Sequence, residues 1–319
     1  MNTVIQLPAP VPSQASPYYI DNKRGYSAWR DKKLDGYPTT AGSLVVNLGD
    51  PLNLEQAETA SILGLCRKTN MCIYKTNLAG VENKNIPRSL GNTFGLKRLD
   101  PNMLADDDGI TSLTVVEGKS IRGYIPYSNR RLLWHTDGYY NSADRQIRAI
   151  ILHCVNPAPD GGMNSLLDHE IAYLLLRDKN PDYVAALMAP DAMTIPANEE
   201  TTEEQRLAVT GPVFSVDSVD GSLHMRYTAR TRSIIWKDDD TTRKAVAYLT
   251  DIMENGHDYV FDYTLGAGEG VICNNVLHKR TAFENDGASS RLLYRARYYD
   301  RIRDTGLEEQ QTGQPACYI

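Results

Sequence analysis

The amino-acid sequence predicts a mainly β protein with inserted helices, folded as a double-stranded β-helix, or jelly roll. Many short segments alternate between two faces as strands do, turn signals separate them, and only a few stretches show helical spacing. The sequence contains no fixed-period repeat and no second compact unit. We therefore expect one domain over residues 1–319, with an extended N-terminal arm over 1–40, a core over 41–303 and a C-terminal tail over 304–319.

The composition is that of an ordinary soluble globular protein. The chain has 319 residues, of which 41% are apolar and 23% charged, and its net charge is −6. This excludes a disordered chain, a fibre and a disulfide scaffold, and it argues against nucleic acid as a main partner. Five cysteines without a C-x-x-C pair, no secretory signal and no long apolar run indicate a reduced, cytoplasmic protein without a membrane segment. Homo-oligomer formation stays open.

The first half of the chain alternates strands and helices. Prolines and polar residues make the first forty residues an arm, which aromatic residues around Tyr18 to Trp29 pin to the body. A helix begins at Asn53, with glutamates early in it and apolar residues at helical spacing. Residues 80–112 are rich in Asn, Asp, Gly and Pro and are predicted to be irregular. The predicted strands of this half are Gly42–Gly49, Met71–Tyr74, Leu113–Val116 and Leu132–His135.

The second half contains a strand that is apolar on both faces, Ile147–Val155, followed by helices and further strands. Asp168 and Asp239 stand at helix starts, Pro181 suits a first helical position, and Asp220-Gly221 predicts a hairpin turn. The predicted helices are Asp168–Leu176, Pro181–Met188 and Asp239–Glu254. The predicted strands are Phe214–Val216, Leu223–Tyr227, Tyr259–Leu265, Gly270–Asn274 and Leu292–Tyr299.

The first candidate for a functional site is the sequence Trp134-His135-Thr136-Asp137-Gly138. On a strand, residues two apart point to the same face and lie about 6.6 Å apart, so His135 and Asp137 could reach one ion. An imidazole nitrogen and a carboxylate oxygen are two thirds of the 2-His-1-carboxylate triad of non-haem Fe(II) oxygenases. An isolated H-x-D is common, and a surface histidine beside an aspartate explains it equally well.

A third ligand has to come from the other histidines. His278 stands out because it ends the segment Gly268–His278, a turn followed by a strand, and precedes a strand rich in arginine. The others have simpler structural explanations: His153 as a core residue, His169 near a helix start, and His224 and His257 beside turns.

The strand after His278 carries Arg291, Arg295 and Arg297 on one face. Arg291 and Arg295 are about 13 Å apart along the strand. Two guanidinium groups at this separation can bracket a small dicarboxylate, and buried arginines need anionic partners. Structural ion pairs or a basic surface stripe are the alternative explanation.

Together these residues resemble the taurine dioxygenase-like (TauD/TfdA) family of Fe(II)/2-oxoglutarate-dependent dioxygenases. The resemblance rests on H-x-D, a histidine 141 residues after Asp137, and Arg291 13 residues further on. The stretch Gly268–Phe283, G-E-G-V-I-C-N-N-V-L-H-K-R-T-A-F, resembles the family's G-D…D-N…H-x-R-x-x-F block, with Asn274 where Asp is commoner. Pro159–Ser165, P-D-G-G-M-N-S, resembles its P-x-x-G-G-x-T segment, with Asn164 in place of Thr and Ser165 next to it, either of which could donate a hydrogen bond.

The resemblance implies both a cofactor and a reaction. Fe(II) would be held by His135, Asp137 and His278, and 2-oxoglutarate by Arg291, Arg295 and Asn164. O2 would be the oxidant, succinate and CO2 would be released, and a small molecule would be oxidised, most often by hydroxylation.

The substrate is only partly indicated. Tyr139, Tyr140 and Asn141 follow the H-x-D turn, and Arg226 and Arg230 lie in one short segment. If that segment covers the metal, it favours a polar, anionic substrate. An exposed hairpin explains the same arginines. Three other functions remain open: a zinc-dependent hydrolase, a non-catalytic metal-binding jelly-roll module, and nucleic-acid processing through the arginine-rich end.

Overall fold

A computed structural model of the protein describes residues 4–101, 108–115, 125–198, 206–285 and 290–308. Within these ranges the chain forms six α-helices and eighteen β-strands, besides short 3-10 turns. The helices are α1 (Lys23–Leu34), α2 (Gln56–Thr69), α3 (Asn85–Thr93), α4 (His169–Lys179), α5 (Pro181–Leu187) and α6 (Asp240–Glu254). The strands are β1 (Val4–Gln6), β2 (Val45–Asn47), β3 (Met71–Lys75), β4 (Thr111–Leu113), β5 (Leu132–His135), β6 (Ala149–Asn156), β7 (Asp160–Gly161), β8 (Asn164–Leu167), β9 (Met193–Ile195), β10 (Ala208–Gly211), β11 (Phe214–Val216), β12 (Leu223–Met225), β13 (Ile235–Trp236), β14 (Val260–Tyr263), β15 (Glu269–Cys273), β16 (Leu277–Arg280), β17 (Phe283–Glu284) and β18 (Leu292–Tyr298).

Two sheets form the centre of the fold. The larger has the order β2-β3-β15-β6-β18-β4 and the smaller has the order β14-β8-β16-β5. Neighbouring strands in both are antiparallel, except the parallel pair β2 and β3. The prediction of a mainly β protein with inserted helices is confirmed.

The alternation of side chains along β6 explains how the larger sheet is buried on both faces. Leu152 joins a hydrophobic cluster that also contains Leu166 and Leu277 of the smaller sheet. Ile151 points the other way, into a second cluster that contains Leu90 of α3. The strand is therefore mostly apolar, because each of its faces packs in a separate core.

The prolines of the N-terminal arm predicted an extended conformation over residues 1–40. The structure differs, because residues Lys23–Leu34 form the helix α1. The Lys33 ammonium is buried and lies 2.7 Å from the Asp168 carboxylate and 2.6 Å from that of Glu170, at the start of α4. Tyr18 donates to Glu170 over 3.0 Å. These long-range contacts fix the arm on the core, and a mostly polar helix sequence gives no sign of them.

Residues 80–112 also contain a helix that the sequence did not predict, α3. Pro87 lies in its first turn, where the missing N–H costs no hydrogen bond. Ile86 and Leu90 are buried against the larger sheet, so tertiary packing outweighs the high content of turn-forming residues. The short strand β8 was missed as well, because all four of its residues are buried and show no alternation.

Several local predictions are confirmed. Strands β11 and β12 pair across the predicted turn, where Gly221 has a φ of +66° that favours glycine. The side chains of Asp168 and Asp239 cap α4 and α6 by accepting backbone N–H groups. The four cysteines in the described ranges are free and buried. No helix in those ranges is long and apolar enough to cross a membrane.

His153 lies on the face of β6 that turns away from the smaller sheet. It stacks between Tyr74 and Tyr294, and its Nδ1 is 3.1 Å from the Tyr74 hydroxyl. The Tyr74 hydroxyl also donates to the Leu152 carbonyl. His153 therefore has the surroundings of a core residue, as its apolar neighbours in sequence suggested.

Burial gives His153 a testable effect on stability. It lowers the pKa of His153 to about 4, so between about pH 6.5 and pH 4 the unfolded chain binds a proton at His153 that the folded protein does not. The free energy of unfolding should therefore fall as the pH decreases through this range. His153→Phe should reduce the fall between pH 7 and pH 5 by about 2 kcal/mol, measured by urea unfolding. An equal fall in both proteins would contradict this assignment.

Candidate active site

Three predicted metal ligands meet where β5 and β16 run side by side. His135 and His278 are directly opposite each other in this antiparallel pair, and their ring centroids are 4.2 Å apart. Asp137 follows β5 by two residues, and its Oδ1 lies 3.8 Å from His135 Nε2. Ligand atoms of the three buried residues all lie within 4.8 Å of one another, and they form the one such group in the described ranges.

The donor atoms fit a divalent metal ion. Each histidine directs Nδ1 to a backbone carbonyl, at 2.8 Å from Leu133 O for His135 and 2.9 Å from Val276 O for His278. A carbonyl only accepts, so Nδ1 carries the proton and the lone pair is on Nε2. Asp137 Oδ2 is buried and has no hydrogen-bond partner. Two imidazole nitrogens and one carboxylate oxygen are therefore available together.

Electrostatics keep these ligands in their metal-binding forms. Burial lowers the pKa of His135 to about 3, with a further contribution from His278, and burial lowers the pKa of His278 too. Burial opposes ionisation of Asp137, but Arg295 and Arg297 outweigh it and hold its pKa below the usual value. A metal can therefore bind at neutral pH without first displacing protons.

The turn after Asp137 is fixed by a glycine and an asparagine. Gly138 has a φ of +66°, and a Cβ there would lie 2.5 Å from Ile147 Cγ1, so only glycine fits. The Asn275 side chain accepts from the Asp137 N–H over 2.8 Å and donates to the carbonyls of Asp137 and Ile147. Asn275 itself has a φ of 51°, which asparagine tolerates better than most residues. Sequence reasoning noted Asn274 and missed Asn275, although N-N before the distal histidine was its signal.

The predicted arginine face of β18 is directed toward this centre. Arg295 Nη1 lies 3.3 Å from Asp137 Oδ1, while its Nε is buried without a partner. Arg297 pairs with Asp100 and donates to the Tyr140 hydroxyl over 3.3 Å. Arg295 thus orients the metal ligand Asp137, and Arg297 holds Tyr140 in place after the H-x-D turn.

Arg291 is buried at the beginning of this strand. Its guanidinium carbon lies 4.8 Å from the Phe283 ring centroid. Gly162 has a φ of +73°, and a Cβ there would lie 3.4 Å from Arg291 Nε. No carboxylate in the described ranges forms an ion pair with Arg291. Since burial of an unpaired guanidinium is costly, Arg291 is a candidate anion-binding group.

Asn164 lies on the same face of the smaller sheet as His278, because Leu166, two residues later, is opposite His278. Its amide nitrogen is 3.5 Å from the carbonyls of Gly162 and Tyr263, which are long contacts. Arg280, two residues after His278, is the arginine of the H-x-R-x-x-F block, and the sequence analysis gave it no separate role. The Arg280 guanidinium packs on Phe283 from 4.7 Å and donates to the carbonyls of Ser128 and Arg130.

The predicted substrate residues have different surroundings. Tyr139 and Tyr140 are half-buried beside Asp137 with their rings edge to face, and the Asn141 amide donates to the Arg145 carbonyl over 2.7 Å. The segment that contains Arg226 and Arg230 runs along the free edge of β5. In this segment, Thr228 is bridged to His135 and the Tyr227 carbonyl accepts from Thr136 N–H.

Arg226 requires a correction. It is buried, and its guanidinium donates to four backbone carbonyls, those of Met193, Val209, Gly211 and Pro212. These bonds join β9 and β10 to β12 and leave the side chain no free group for a substrate. The expectation that Arg226 binds substrate is therefore wrong, whereas Arg230 is half-buried close to the β5 edge.

The amino-acid sequence is similar to those of known dioxygenases. The profile described as "Taurine catabolism dioxygenase TauD, TfdA family" matches residues 33–297. A uridine-5'-phosphate dioxygenase from an Amycolatopsis species is 30% identical over 177 residues, which are 54% of this chain and 62% of that protein. A second enzyme of that name, from a Streptomyces species, is 29% identical over 51% of this chain and 60% of its own length. The chain thus spans about three fifths of these relatives.

Solved structures show the same fold at low sequence identity. AAD-2 in complex with Mn(II) and N-oxalylglycine superposes with a TM-score of 0.56, at 15% identity, over 82% of this chain and 97% of that one. Asparagine oxygenase in complex with Fe(II), 3-hydroxyasparagine and succinate has a TM-score of 0.53, at 12% identity, over 86% and 90%.

The first prediction for the site concerns metal binding. His135→Ala, Asp137→Ala and His278→Ala should each remove high-affinity Fe(II) binding, since two protein ligands hold the ion poorly. His153→Phe is the matched control and should bind Fe(II) as the parent protein does. Anaerobic titration with Fe(II) and a chelator competitor checks this. Loss of binding in the His153 variant, or full binding in the His278 variant, would show that the ligand set is wrong.

A second prediction concerns the Asn275 contacts. Asn275→Ala should weaken Fe(II) binding about 10- to 100-fold, because the turn that carries Asp137 loses its side-chain hydrogen bonds. Asn70 is the matched control: it also has a positive φ, of 58°, and its amide donates to Asp168 instead. Asn70→Ala should lower the thermal unfolding midpoint and leave Fe(II) affinity unchanged. Equal Fe(II) affinities in both variants would contradict a positioning role for Asn275.

Proposed function

The chain belongs to the TauD/TfdA family of dioxygenases, and from this premise we propose that it is an Fe(II)- and 2-oxoglutarate-dependent dioxygenase that oxidises a small anionic molecule and releases succinate and CO2. The observation that carries the proposal is the buried group His135, Asp137 and His278, with two free imidazole nitrogens and an unpaired carboxylate oxygen. The predicted double-stranded β-helix is part of the proposal, supported by the two sheets and by the neighbours of similar fold.

Each residue has a defined task in this proposal. His135, Asp137 and His278 would hold Fe(II), which would supply the oxidation of substrate by O2 coupled to conversion of 2-oxoglutarate into succinate and CO2. Arg295 keeps Asp137 ionised and oriented. The three ligand side chains are buried, which strengthens the interactions of charged groups between them.

Arg291 would bind the carboxylate of 2-oxoglutarate that is remote from the metal. It is buried, has no carboxylate partner in the described ranges, and rests on Phe283 and the Gly162 turn. A planar guanidinium fixed in this way matches a carboxylate with two parallel hydrogen bonds. Asn164, on the inner face of β8, and Arg295 complete the proposed cosubstrate site.

The substrate proposal rests on the relatives and on the charge of the site rim. Two relatives are uridine-5'-phosphate dioxygenases. We propose a nucleoside 5'-phosphate or a similar small anion, with Tyr139, Tyr140, Asn141 and Arg230 around it. Hydroxylation is the expected outcome, and the absence of nucleic-acid binding and a cytoplasmic location stay expectations of the sequence.

A succinate assay tests the proposal against its alternatives. Protein loaded anaerobically with Fe(II) is exposed to O2, 2-oxoglutarate and a panel of nucleoside phosphates and other small anions. Substrate-dependent succinate release supports the dioxygenase. A zinc hydrolase and a non-catalytic metal-binding module would both release none.

The role of Arg291 gives a separate prediction. Arg291→Ala should weaken 2-oxoglutarate binding by about two to four decades, because loss of one member of a buried charge pair costs about 3–5 kcal/mol. Arg291→Lys should restore little, since lysine cannot form two parallel bonds to a carboxylate. Calorimetric titration of the Fe(II) protein with 2-oxoglutarate measures the effect, and Fe(II) affinity is the control. Normal 2-oxoglutarate affinity in the alanine variant would refute the role.

A further inference from the structure

Arg206 is a cation beside the active site that sequence reasoning did not consider. Its backbone is held at a defined point, because Arg206 N–H donates to the Asn198 carbonyl over 3.2 Å and Asn198 N–H donates back over 2.9 Å. Leu207 and β10 follow directly, so a strand fixes the chain on one side of this residue. These contacts fix the backbone from which the Arg206 side chain extends.

The Arg206 guanidinium makes two contacts, and one of its nitrogen atoms has no hydrogen-bond partner. Its carbon lies 5.2 Å from the Tyr140 ring centroid, and Nη2 donates to the Pro196 carbonyl over 3.1 Å. Nη1 is buried and has no hydrogen-bond partner. No carboxylate in the described ranges forms an ion pair with Arg206. A desolvated N–H of a charged group without an acceptor is costly, so an external anion would be bound favourably here.

Tyr140 connects Arg206 to the metal centre. It follows Asp137 by three residues, and its hydroxyl accepts from Arg297 on β18. Tyr139 lies edge to face against it, with the ring centroids 5.2 Å apart. The Tyr140 hydroxyl thus contacts Arg297 of the active site, and Arg206 lies over the Tyr140 ring.

We propose that Arg206 binds the phosphate or other anionic group of the substrate and so selects an anionic substrate over its neutral counterpart. The inference rests on the proposed dioxygenase function and deepens it. Of the arginines considered near the β5 edge, Arg226 has its hydrogen-bonding groups occupied by carbonyls, whereas Arg206 lies over the Tyr140 ring and its Nη1 has no hydrogen-bond partner. Preorganisation by the ring reduces the entropy that binding costs.

The experiment compares uridine 5'-phosphate with uridine in the Fe(II)- and 2-oxoglutarate-loaded protein. Binding is measured anaerobically by calorimetry, and succinate release is measured in air. We expect Arg206→Gln to weaken uridine 5'-phosphate binding about 10- to 100-fold and to change uridine binding little. Arg206→Lys should recover part of the loss, since it keeps the charge without the planar stacking group.

Two control variants separate recognition from general damage. Arg243 is exposed and pairs with Asp240 on α6, so Arg243→Gln removes one charge and should leave the preference intact. Arg30 on α1 pairs with Asp178 on α4, so Arg30→Gln also removes one charge and should also keep the preference for the phosphate. Inorganic phosphate serves as a competitor and should inhibit the parent protein more strongly than the Arg206→Gln variant.

The outcomes distinguish the inference from its premise. An active parent protein with a preference that Arg206→Gln abolishes supports the inference. A preference unchanged in Arg206→Gln, or a parent protein that binds uridine as tightly as uridine 5'-phosphate, overturns it while the dioxygenase stands. A parent protein that releases no succinate with any member of the substrate panel overturns the proposed function, and the inference with it.

Discussion

The register between β5 and β16 is the constraint on which the active site depends. It sets His135 directly opposite His278, so that the two imidazoles share the inner face of the smaller sheet. A slip of one residue would turn one histidine to the other face, because strand side chains alternate. The pairing is irregular between His278 and Arg280, because Arg280 lies opposite Leu132 and β5 has one more residue than β16 between the two pairs. Backbone carbonyls then fix both ring orientations.

The charge of the site follows from the same arrangement. Burial keeps the two histidines neutral and would discourage an aspartate from ionising, but the arginines of β18 reverse this for Asp137. Arg295 and Arg297 each pair with a carboxylate, although the Nε atom of each has no partner, whereas Arg291 and Arg206 have no carboxylate partner in the described ranges. On the proposed function, Arg291 and Arg206 would be two separate anion-binding groups. This is consistent with a dicarboxylate cosubstrate and an anionic substrate.

The chemically informative residues could be predicted because they have a local pattern. H-x-D at the end of a strand, the distal histidine after a turn, and alternating arginines on β18 depend on spacing within one element. Contacts between distant elements could not be predicted in this way. The arm was expected to be extended, yet Lys33 is paired with Asp168 and Glu170, which lie more than a hundred residues away in sequence. Arg226 is of a residue type that often binds anionic substrates. Only the structure shows that its guanidinium donates to four backbone carbonyls.

The most direct test of the central claim is anaerobic visible spectroscopy of the protein with Fe(II) and 2-oxoglutarate. If His135, Asp137 and His278 hold Fe(II) and 2-oxoglutarate binds to that iron, the complex would have a visible charge-transfer band. We expect this band to grow with 2-oxoglutarate to saturation at one iron per chain, and succinate in place of 2-oxoglutarate to give none. Protein that binds one Fe(II) per chain and shows no band with saturating 2-oxoglutarate would contradict the proposed function.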